Sequence, residues 1–300
     1  MKLDGLIAAV HTPMHGDFSV NYDCVPAQAE YLAKAEVTGV FVAGTTGECH
    51  SLSTDERIKL FEIWGNVAHP NGLKFVAHVG CNNLPDSQSL VRAAVENGAD
   101  AISAMAPNFF KPPDAATLCD WFVQVIEPEP ELPFYFYDIP GMTGVTINTS
   151  EFVQLAAERI PGFVGVKYTN PDRDQLSAIL NTKGCVPDML FGCDEQLLDG
   201  LHLGCRGAVG STYNFSAPLY RRIIAAFDKG DIDTAQRDQA KSVEMVSTIA
   251  KYNYIPGAKA VMAIVGVNCG PARPPLRYLS SQSVANLEQD LKSIGFFDWA

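Results

Sequence analysis

A single charged side chain, Lys167, interrupts the apolar run at residues 163–168. Such a run is typical of a strand that is buried on both faces, where an unpaired ammonium group is costly. Burial lowers the pKa of a lysine, so that some neutral amine is present near neutral pH and can attack a ketone to form a Schiff base. The alternative is a lysine at a strand end whose ammonium group reaches solvent. The residues that end the other apolar runs help to decide between these interpretations.

Hydroxyl groups lie at the ends of two further apolar runs. Residues 44–48 read Gly-Thr-Thr-Gly-Glu, and the amides of such a turn, with the hydroxyls of Thr45 and Thr46, can hold a carboxylate. Tyr137 lies near the end of the run at 134–139, where a phenol with an adjusted pKa could transfer a proton. Each feature has a structural alternative, namely a turn capped by threonine and a tyrosine that only packs.

Two adjacent acids, Asp194 and Glu195, follow the apolar run that ends at Gly192. Helix capping explains one acid at such a position, but two in succession could also accept hydrogen bonds from the hydroxyls of a polyol. The next run ends at Ser211, which offers another hydroxyl group. These positions indicate a nucleophile, a proton-transfer group, a carboxylate site and a polyol site.

Eight short apolar runs alternate with segments of helical pattern, as expected for parallel strands that are covered by helices. The runs lie at residues 6–10, 39–43, 74–79, 101–106, 134–139, 162–169, 189–192 and 207–211. Helix start signals occur between them, at residues 53–56, 86–87 and 148–151. This alternation predicts a (β/α)8 TIM barrel, in which the active site lies at the carboxyl ends of the strands.

After Pro218 the pattern changes to helices only, at residues 219–227, 232–252, 257–265 and 281–294. No low-complexity linker separates these helices from the preceding part of the chain. We therefore predict a single domain over residues 1–300, with the barrel at about 1–228 and a C-terminal helical extension at about 229–300.

The composition indicates a globular protein, with 47% hydrophobic and 19% charged residues. A net charge of -12 argues against partners such as nucleic acid or an anionic membrane surface. Because we find no secretory signal and no apolar stretch that could span a bilayer, we expect a cytoplasmic protein. The eight scattered cysteines are expected to be reduced thiols, and the six histidines show no metal-binding pair, so that no metal site is predicted.

Over its whole length the chain resembles the dihydrodipicolinate synthase and N-acetylneuraminate lyase superfamily of pyruvate-dependent class I aldolases. The resemblance rests on the motif at residues 44–48, on Tyr137 with Ile139-Pro140, and on Lys167 after Gly165-Val166. The chain is most similar to the N-acetylneuraminate lyase subgroup, through three segments. They are residues 77–80, Gly192 with Asp194 and Glu195, and residues 207–214. The synthases carry an arginine shortly after the tyrosine-containing strand, and residues 140–144 contain none.

The resemblance implies an enzyme that cleaves N-acetylneuraminate reversibly to N-acetylmannosamine and pyruvate, without a cofactor. It implies that Lys167 forms the Schiff base, that Tyr137 relays protons, and that Thr46 belongs to the catalytic set and binds the adjacent carboxylate with Thr45. The residues expected to hold the polyol tail are Thr169, Gly192, Asp194, Glu195 and Ser211. The resemblance further implies a homotetramer.

One position departs from the pattern of the superfamily. Many members carry a tyrosine pair on the loop after the fourth strand, and one of these tyrosines can reach the site of a neighbouring subunit, whereas this chain has Phe109 and Phe110. Two alternatives stay open: an aldolase for another 2-keto-3-deoxy sugar acid or a synthase-like pyruvate aldolase, and a non-catalytic sensor of pyruvate or sugar acids. The presence of Lys167, Tyr137 and Thr46 together weighs against the sensor.

Overall fold

The computed structural model describes residues 2–181 and 187–300. Within these residues, eight parallel strands follow one another around a closed barrel in the order β1 to β8, and β8 pairs with β1. The strands are β1 Gly5–Ala9, β2 Gly39–Val42, β3 Lys74–His78, β4 Ala101–Met105, β5 Phe134–Asp138, β6 Phe163–Tyr168, β7 Asp188–Phe191 and β8 Gly207–Gly210. The predicted (β/α)8 barrel is confirmed, and every predicted run overlaps one of the strands.

Each of these strands ends one residue before the last residue of the apolar run that predicted it. At the end of β2, for example, Ala43 has a φ of 55°, which is outside the extended region. The strand therefore stops at Val42, and the chain turns immediately into the segment that contains Thr45 and Thr46.

The helices between and after the strands are bounded as follows. They are α1 Val25–Lys34, α2 Thr54–Val67, α3 Leu84–Glu96, α4 Ala115–Val125, α5 Pro140–Thr143, α6 Thr149–Arg159, α7 Arg173–Leu180, α8 Leu197–Leu203, α9 Tyr213–Asp228, α10 Ile232–Ala250, α11 Tyr254–Ile264, α12 Ser281–Ser293 and α13 Phe296–Trp299. The predicted start of α2 is confirmed by a capping box between Ser53 and Glu56. Helix α3 begins earlier than the signal at residues 86–87 predicted, because Asn83 is its cap and accepts a hydrogen bond from the amide of Asp86.

The four helices predicted after Pro218 are present, with α9 starting earlier, at Tyr213. The chain inside α9 is kinked at Ser216, whose φ of -142° is not helical, and Pro218 follows this kink. Helix α13 was missed, since four residues are too few for a periodic pattern. No helix of residues 2–181 and 187–300 is long and apolar enough to cross a membrane. The single-domain assignment and its boundary near residue 228 stay predictions.

The aromatic residues of β5 alternate between the interior of the barrel and the layer between the strands and the helices. Alternation along the run at residues 134–139 predicts that the two tyrosines share one face and the two phenylalanines the other, and this is confirmed. Tyr135 and Tyr137 lie inside the barrel, and Phe134 and Phe136 pack against helices outside it. Tyr135 lies toward the amino end of the strand, where its hydroxyl donates to Asp188 at 2.7 Å. Tyr137 lies toward the carboxyl end and is paired with Lys167 on the neighbouring strand β6. The register thus brings the two residues together at the end of the barrel where the site is expected.

Candidate active site

Lys167 is buried inside the barrel, with 3% of its surface exposed. Its Nζ lies 4.0 Å from the centroid of the Phe41 ring and 3.8 Å from that of Tyr137. It forms no hydrogen bond or ion pair with another of the described residues. Burial lowers the pKa of Lys167 to about 7, although the charge of Asp194 opposes the shift. Near neutral pH a substantial part of this amine is therefore neutral and nucleophilic.

Tyr137 presents its phenol beside this amine. Its hydroxyl lies 3.4 Å from Oγ1 of Thr45, and its ring meets the Phe41 ring edge-on, with the centroids 5.7 Å apart. Burial raises the pKa of Tyr137 well above its ordinary value, so that the group is a neutral phenol in the free protein. It is therefore able to donate a proton and has a hydroxyl neighbour with which to exchange one.

The turn at residues 44–48 is held in a strained but fixed conformation. Glu48 has a φ of 59°, in the left-handed region that residues with a side chain rarely adopt. Within the turn, the amide of Glu48 donates to the carbonyl of Thr45 at 3.0 Å. A Cβ at Gly44 would lie 2.5 Å from the Phe41 ring, so only glycine fits at that position. Thr46 is buried and Thr45 is partly exposed, which leaves Thr45 closer to the open end of the site.

Two polar residues from the C-terminal part of the chain fix the same turn. Lys259 of α11 forms an ion pair with Glu48, with 2.9 Å between Nζ and Oε1, and the amide of Arg273 donates to Oε2 at 2.7 Å. The sequence reasoning missed this contribution. Lys259 could have been identified from the sequence, because it is the only charged residue in the apolar helix α11, just as Lys167 is the only charged residue in β6.

Thr169 and Gly192 are in contact where β6 and β7 end. Oγ1 of Thr169 is buried and forms no hydrogen bond of normal geometry with the described residues, although it lies near enough to the Tyr137 hydroxyl to lower the pKa of that phenol. A Cβ at position 192 would lie 2.1 Å from this oxygen, so the absence of a side chain at Gly192 gives Thr169 its space. An unpaired buried hydroxyl is costly, and a ligand hydroxyl or carboxylate would relieve that cost.

Asp194 connects the ends of β7 and β8. Its Oδ2 accepts hydrogen bonds from the amide of Thr212 at 2.7 Å, from the hydroxyl of Thr212 at 2.6 Å and from the hydroxyl of Ser211 at 3.4 Å. Burial raises the pKa of Asp194 to about 6, against the effect of the Thr212 hydrogen bonds. Asp194 does not cap the helix that follows it, in contrast to the capping alternative considered from the sequence. One oxygen of this carboxylate is thus occupied by protein donors.

Ser211, Tyr254 and Glu195 complete the polar side of the site. The hydroxyl of Ser211 lies 2.6 Å from the hydroxyl of Tyr254, the first residue of α11. Glu195 is partly exposed, accepts no hydrogen bond from the described residues, and raises the pKa of Asp194. No sequence signal identified Tyr254, because its position depends on how α11 packs on the barrel.

The contacts join the predicted residues into two groups. Direct contacts join Lys167, Tyr137 and Thr45, and a second set joins Asp194 with Ser211. Thr169 lies against Gly192 and near the hydroxyl of Tyr137. Thr46 and Glu195 lie next to members of these groups in the chain but make no side-chain hydrogen bond with them. Among residues 2–181 and 187–300, no cluster of His, Cys, Asp and Glu could hold a metal ion.

A cavity of about 600 Å³ opens beside Thr169, between the segments that follow β5 and β6. Its lining includes apolar residues such as Ile139 and Met142, and polar ones such as Asn170 and Gln175. Of the predicted site residues only Thr169 lines this cavity, which therefore adjoins the lysine site and does not include it. Phe109 and Phe110, on the loop after β4, are 77% and 85% exposed and meet edge-on with ring centroids 5.0 Å apart.

Comparisons with known proteins give a consistent result. A sequence model of the dihydrodipicolinate synthetase family matches residues 2–294. The chain is 37% identical to the N-acetylneuraminate lyase of Rattus norvegicus, over 99% of this chain and 94% of that protein. It is 39% identical to the N-acetylneuraminate lyase of Gallus gallus, over 98% of this chain and 96% of that protein. The solved N-acetylneuraminate lyase of Proteus mirabilis superposes with a TM-score of 0.95 at 34% identity, over 99% of this chain and 100% of that one. The resemblance inferred from the motifs is thereby confirmed.

Proposed function

We propose that this chain, which belongs to the dihydrodipicolinate synthetase family, is a carbon–carbon lyase that cleaves N-acetylneuraminate reversibly to N-acetylmannosamine and pyruvate. The observation that carries the proposal is the amine of Lys167, which is buried between the rings of Phe41 and Tyr137 and whose pKa is lowered to about 7. A neutral, oriented amine of this kind is the requirement for Schiff-base catalysis.

The first step is the attack of the Lys167 amine on the C2 ketone of the substrate. The adduct is a carbinolamine, and a proton delivered to its hydroxyl group releases water and leaves a protonated imine. The Tyr137 phenol, which is neutral in the free protein, supplies that proton. The positive imine then lies against the ring of Tyr137 and stabilises its phenolate form. The pKa of Tyr137 is therefore lower in the imine complex than in the free protein, so that the phenolate can act as a base.

In the second step the C3–C4 bond breaks. The imine accepts the electron pair of that bond while a base removes the proton of the C4 hydroxyl, so that the aldehyde leaves and an enamine remains on Lys167. Protonation of the enamine at C3 and hydrolysis of the imine release pyruvate and restore the amine. The lysine is the electron sink throughout, so the reaction needs no cofactor.

The carboxylate of the substrate is assigned to the turn that contains Thr45 and Thr46. Because the protein has a net charge of -12, an anionic substrate needs donors at a defined place, and the hydroxyls and amides of this turn provide them. The support for this assignment is the contact of 3.4 Å between Thr45 and Tyr137, which puts the turn next to the reacting lysine.

The polyol tail is assigned to Thr169, Gly192, Asp194, Glu195 and Ser211. Three features support this assignment. Oγ1 of Thr169 forms no hydrogen bond of normal geometry with the described residues, and neither Oδ1 of Asp194 nor the carboxylate of Glu195 accepts one from them. Ser211 and its neighbour Tyr254 add hydroxyl groups on the same side.

A homotetrameric assembly and a location in the cytoplasm also belong to this proposal. The exposed aromatic pair Phe109 and Phe110 favours a surface that another subunit covers, since large apolar side chains rarely remain solvated together. Light scattering of the purified protein tests the assembly, and a monomer at micromolar concentration would contradict it.

The decisive experiment combines turnover with trapping at the lysine. The protein should release pyruvate from N-acetylneuraminate, and borohydride in the presence of pyruvate should attach a three-carbon label to Lys167, located by peptide mass mapping. Lys167→Met should abolish both. A label on another lysine, or none, would contradict the Schiff-base mechanism. Trapping without release of pyruvate from N-acetylneuraminate would favour another 2-keto-3-deoxy sugar acid as the substrate, or a pyruvate sensor.

A further inference from the structure

Arg57 is a buried cation without an acidic partner among the described residues. Its side chain is 2% exposed and lies on the face of α2 that packs against the barrel. Nη1 donates to the carbonyl of Gly80 at 3.0 Å and to Sγ of Cys81 at 3.1 Å, and Nη2 donates to the carbonyl of His78. All of these acceptors are uncharged. Since a buried charge without a counter-ion is costly, this arrangement calls for a role beyond stability.

The guanidinium also sets the orientation of the His78 ring. Nη2 of Arg57 lies 3.2 Å from Nδ1 of His78, and because a guanidinium can only donate, Nδ1 is the acceptor. Nε2 therefore carries the proton of the neutral ring, and the amide of Met105, 3.4 Å from Nε2, packs against it without donating a hydrogen bond. Burial, and next the charge of Arg57, hold the pKa of His78 well below its ordinary value. His78 is therefore a neutral ring, fully buried and fixed from behind by Arg57.

The other side of the His78 ring contacts the aromatic wall around the reacting lysine. It meets the Tyr137 ring edge-on, with centroids 6.1 Å apart and an angle of 88°, and it lies 5.9 Å from the Phe41 ring. The hydroxyl of Tyr137 has a long contact of 3.4 Å with Thr45 and lies near Thr169, whose Oγ1 forms no hydrogen bond of normal geometry with the described residues, so both neighbours constrain it weakly. The direction of the phenol therefore depends on the packing of its ring.

We propose that His78, held by Arg57, is a positioning residue that fixes the ring of Tyr137 for proton transfer at the Lys167 imine. This inference rests on the proposed function, in which Tyr137 moves the protons. His78 itself exchanges no proton in this role, because it acts through the edge of its ring. A displacement of a catalytic group by about 1 Å can cost up to about a hundredfold in rate, so the loss of this contact is measurable.

The first test compares two substitutions of the same residue. His78→Leu removes the aromatic edge and should lower kcat about tenfold, while KM stays within about twofold and borohydride trapping of pyruvate at Lys167 is retained. His78→Phe keeps the edge-to-face contact and should restore kcat. A His78→Phe enzyme as slow as His78→Leu, or a normal kcat in His78→Leu, would overturn the inference.

A double-variant cycle tests whether His78 acts through Tyr137. In the Tyr137→Phe background, where the phenol is already absent, His78→Leu should change kcat by less than about twofold. An undiminished tenfold loss in that background would contradict the proposed route.

The role of Arg57 is tested in the same manner. Arg57→Met removes the donor to Nδ1 and should lower kcat about threefold or more in the enzyme with His78. It should have no such effect in the His78→Phe enzyme, whose ring has no acceptor for it. Equal losses in both backgrounds would mean that Arg57 does not act through His78.

Phe75→Leu is the matched control. Phe75 lies three residues before His78 on β3 but packs outside the barrel, where it meets Phe61 edge-on at 6.1 Å. Its loss should lower the free energy of unfolding without changing kcat per folded molecule. The wild-type enzyme separates the two proposals: if it neither releases pyruvate nor is trapped, the proposed function fails, whereas a fully active enzyme with an unresponsive His78 series refutes only this inference.

Discussion

Glu48 and Lys259 form an ion pair inside the protein, with each side chain 1% exposed and 2.9 Å between Nζ and Oε1. Lys259 donates two further hydrogen bonds, to the carbonyls of Thr12 at 2.8 Å and Pro271 at 2.7 Å. The pair therefore joins the end of β1, the turn after β2 and the C-terminal helix α11. Because Glu48 follows Thr45 and Thr46 in the same turn, the C-terminal helices take part in fixing the carboxylate site.

We predict that Lys259→Met destabilises the protein by about 3–5 kcal/mol, because it leaves the Glu48 carboxylate buried and unpaired. Urea unfolding measures this loss. In the folded fraction, KM for N-acetylneuraminate should rise, because the turn loses the contact that fixes Thr45 and Thr46.

The control for Lys259 is Lys241→Met. Lys241 pairs with the buried Asp238 at 2.7 Å, but its own side chain is 40% exposed and Arg222 stays paired with Asp238 at 3.3 Å, so the loss of Lys241 should cost less than about 1 kcal/mol and leave KM unchanged. The double variant Glu48→Gln with Lys259→Met should recover part of the stability, because it leaves no unpaired charge. Equal effects of Lys241→Met and Lys259→Met would show that burial of the pair is unimportant.

Tyr137→Phe should reduce kcat roughly a hundredfold or more, as expected when a positioned proton-transfer group is removed. The ring and its contacts with Phe41 and His78 remain, so the free energy of unfolding should change little, and this is measured alongside turnover. A Tyr137→Phe enzyme with near-normal turnover would assign the residue to packing alone.

Activity should increase with pH through neutrality. The pKa of Lys167 is lowered to about 7, and only the neutral amine attacks the ketone, so kcat/KM should rise from about pH 6 to a plateau near about pH 8. The charge of Asp194 favours the protonated amine, so Asp194→Asn should move the midpoint of this rise to lower pH. A profile that rises only above about pH 9, or a midpoint that Asp194→Asn does not move, would contradict this account of the amine.

The barrel could be predicted from the sequence because each strand is an apolar run between turn and helix signals. Periodicity along β5 even assigned Tyr135 and Tyr137 to the same face. The helix pattern was less complete, since α13 is too short to be periodic and the kink at Ser216 interrupts α9. Local signals therefore predicted the elements that are long and regular.

The site could be predicted where one residue was anomalous in its own segment. Lys167 is such a residue, and Lys259 satisfies the same criterion, because each is the only charge in an apolar segment. Arg57 gave no such signal, because it lies among other charged residues of α2 and only the packing of that helix shows that it is buried. The pairing of Asp194 with Thr212 could not be predicted, since it depends on the register of β7 beside β8. Tyr254 likewise contacts Ser211 only through the packing of α11.

The last prediction separates recognition of the sugar from chemistry at the lysine. Asp194→Ala should weaken cleavage of N-acetylneuraminate, because substrate hydroxyls lose charge-assisted hydrogen bonds worth about 1.5 to 3 kcal/mol each. Borohydride trapping of pyruvate at Lys167 should survive, since pyruvate has no tail that reaches this carboxylate. Pyruvate release and mass mapping of the trapped enzyme measure the two effects on the same preparation.

Asp194 also binds Thr212, so its removal could act through the ends of β7 and β8 instead of through the substrate. Two variants distinguish these causes. Thr212→Val removes the hydroxyl donor to Oδ2 but leaves the carboxylate, so it tests the contact between the strand ends alone. Glu195→Gln removes the charge of an acid that accepts no hydrogen bond from the described residues, so it should weaken cleavage with little loss of stability. If Thr212→Val reproduces the loss of cleavage seen in Asp194→Ala while Glu195→Gln is fully active, the two acids support the barrel, and the polyol assignment is wrong.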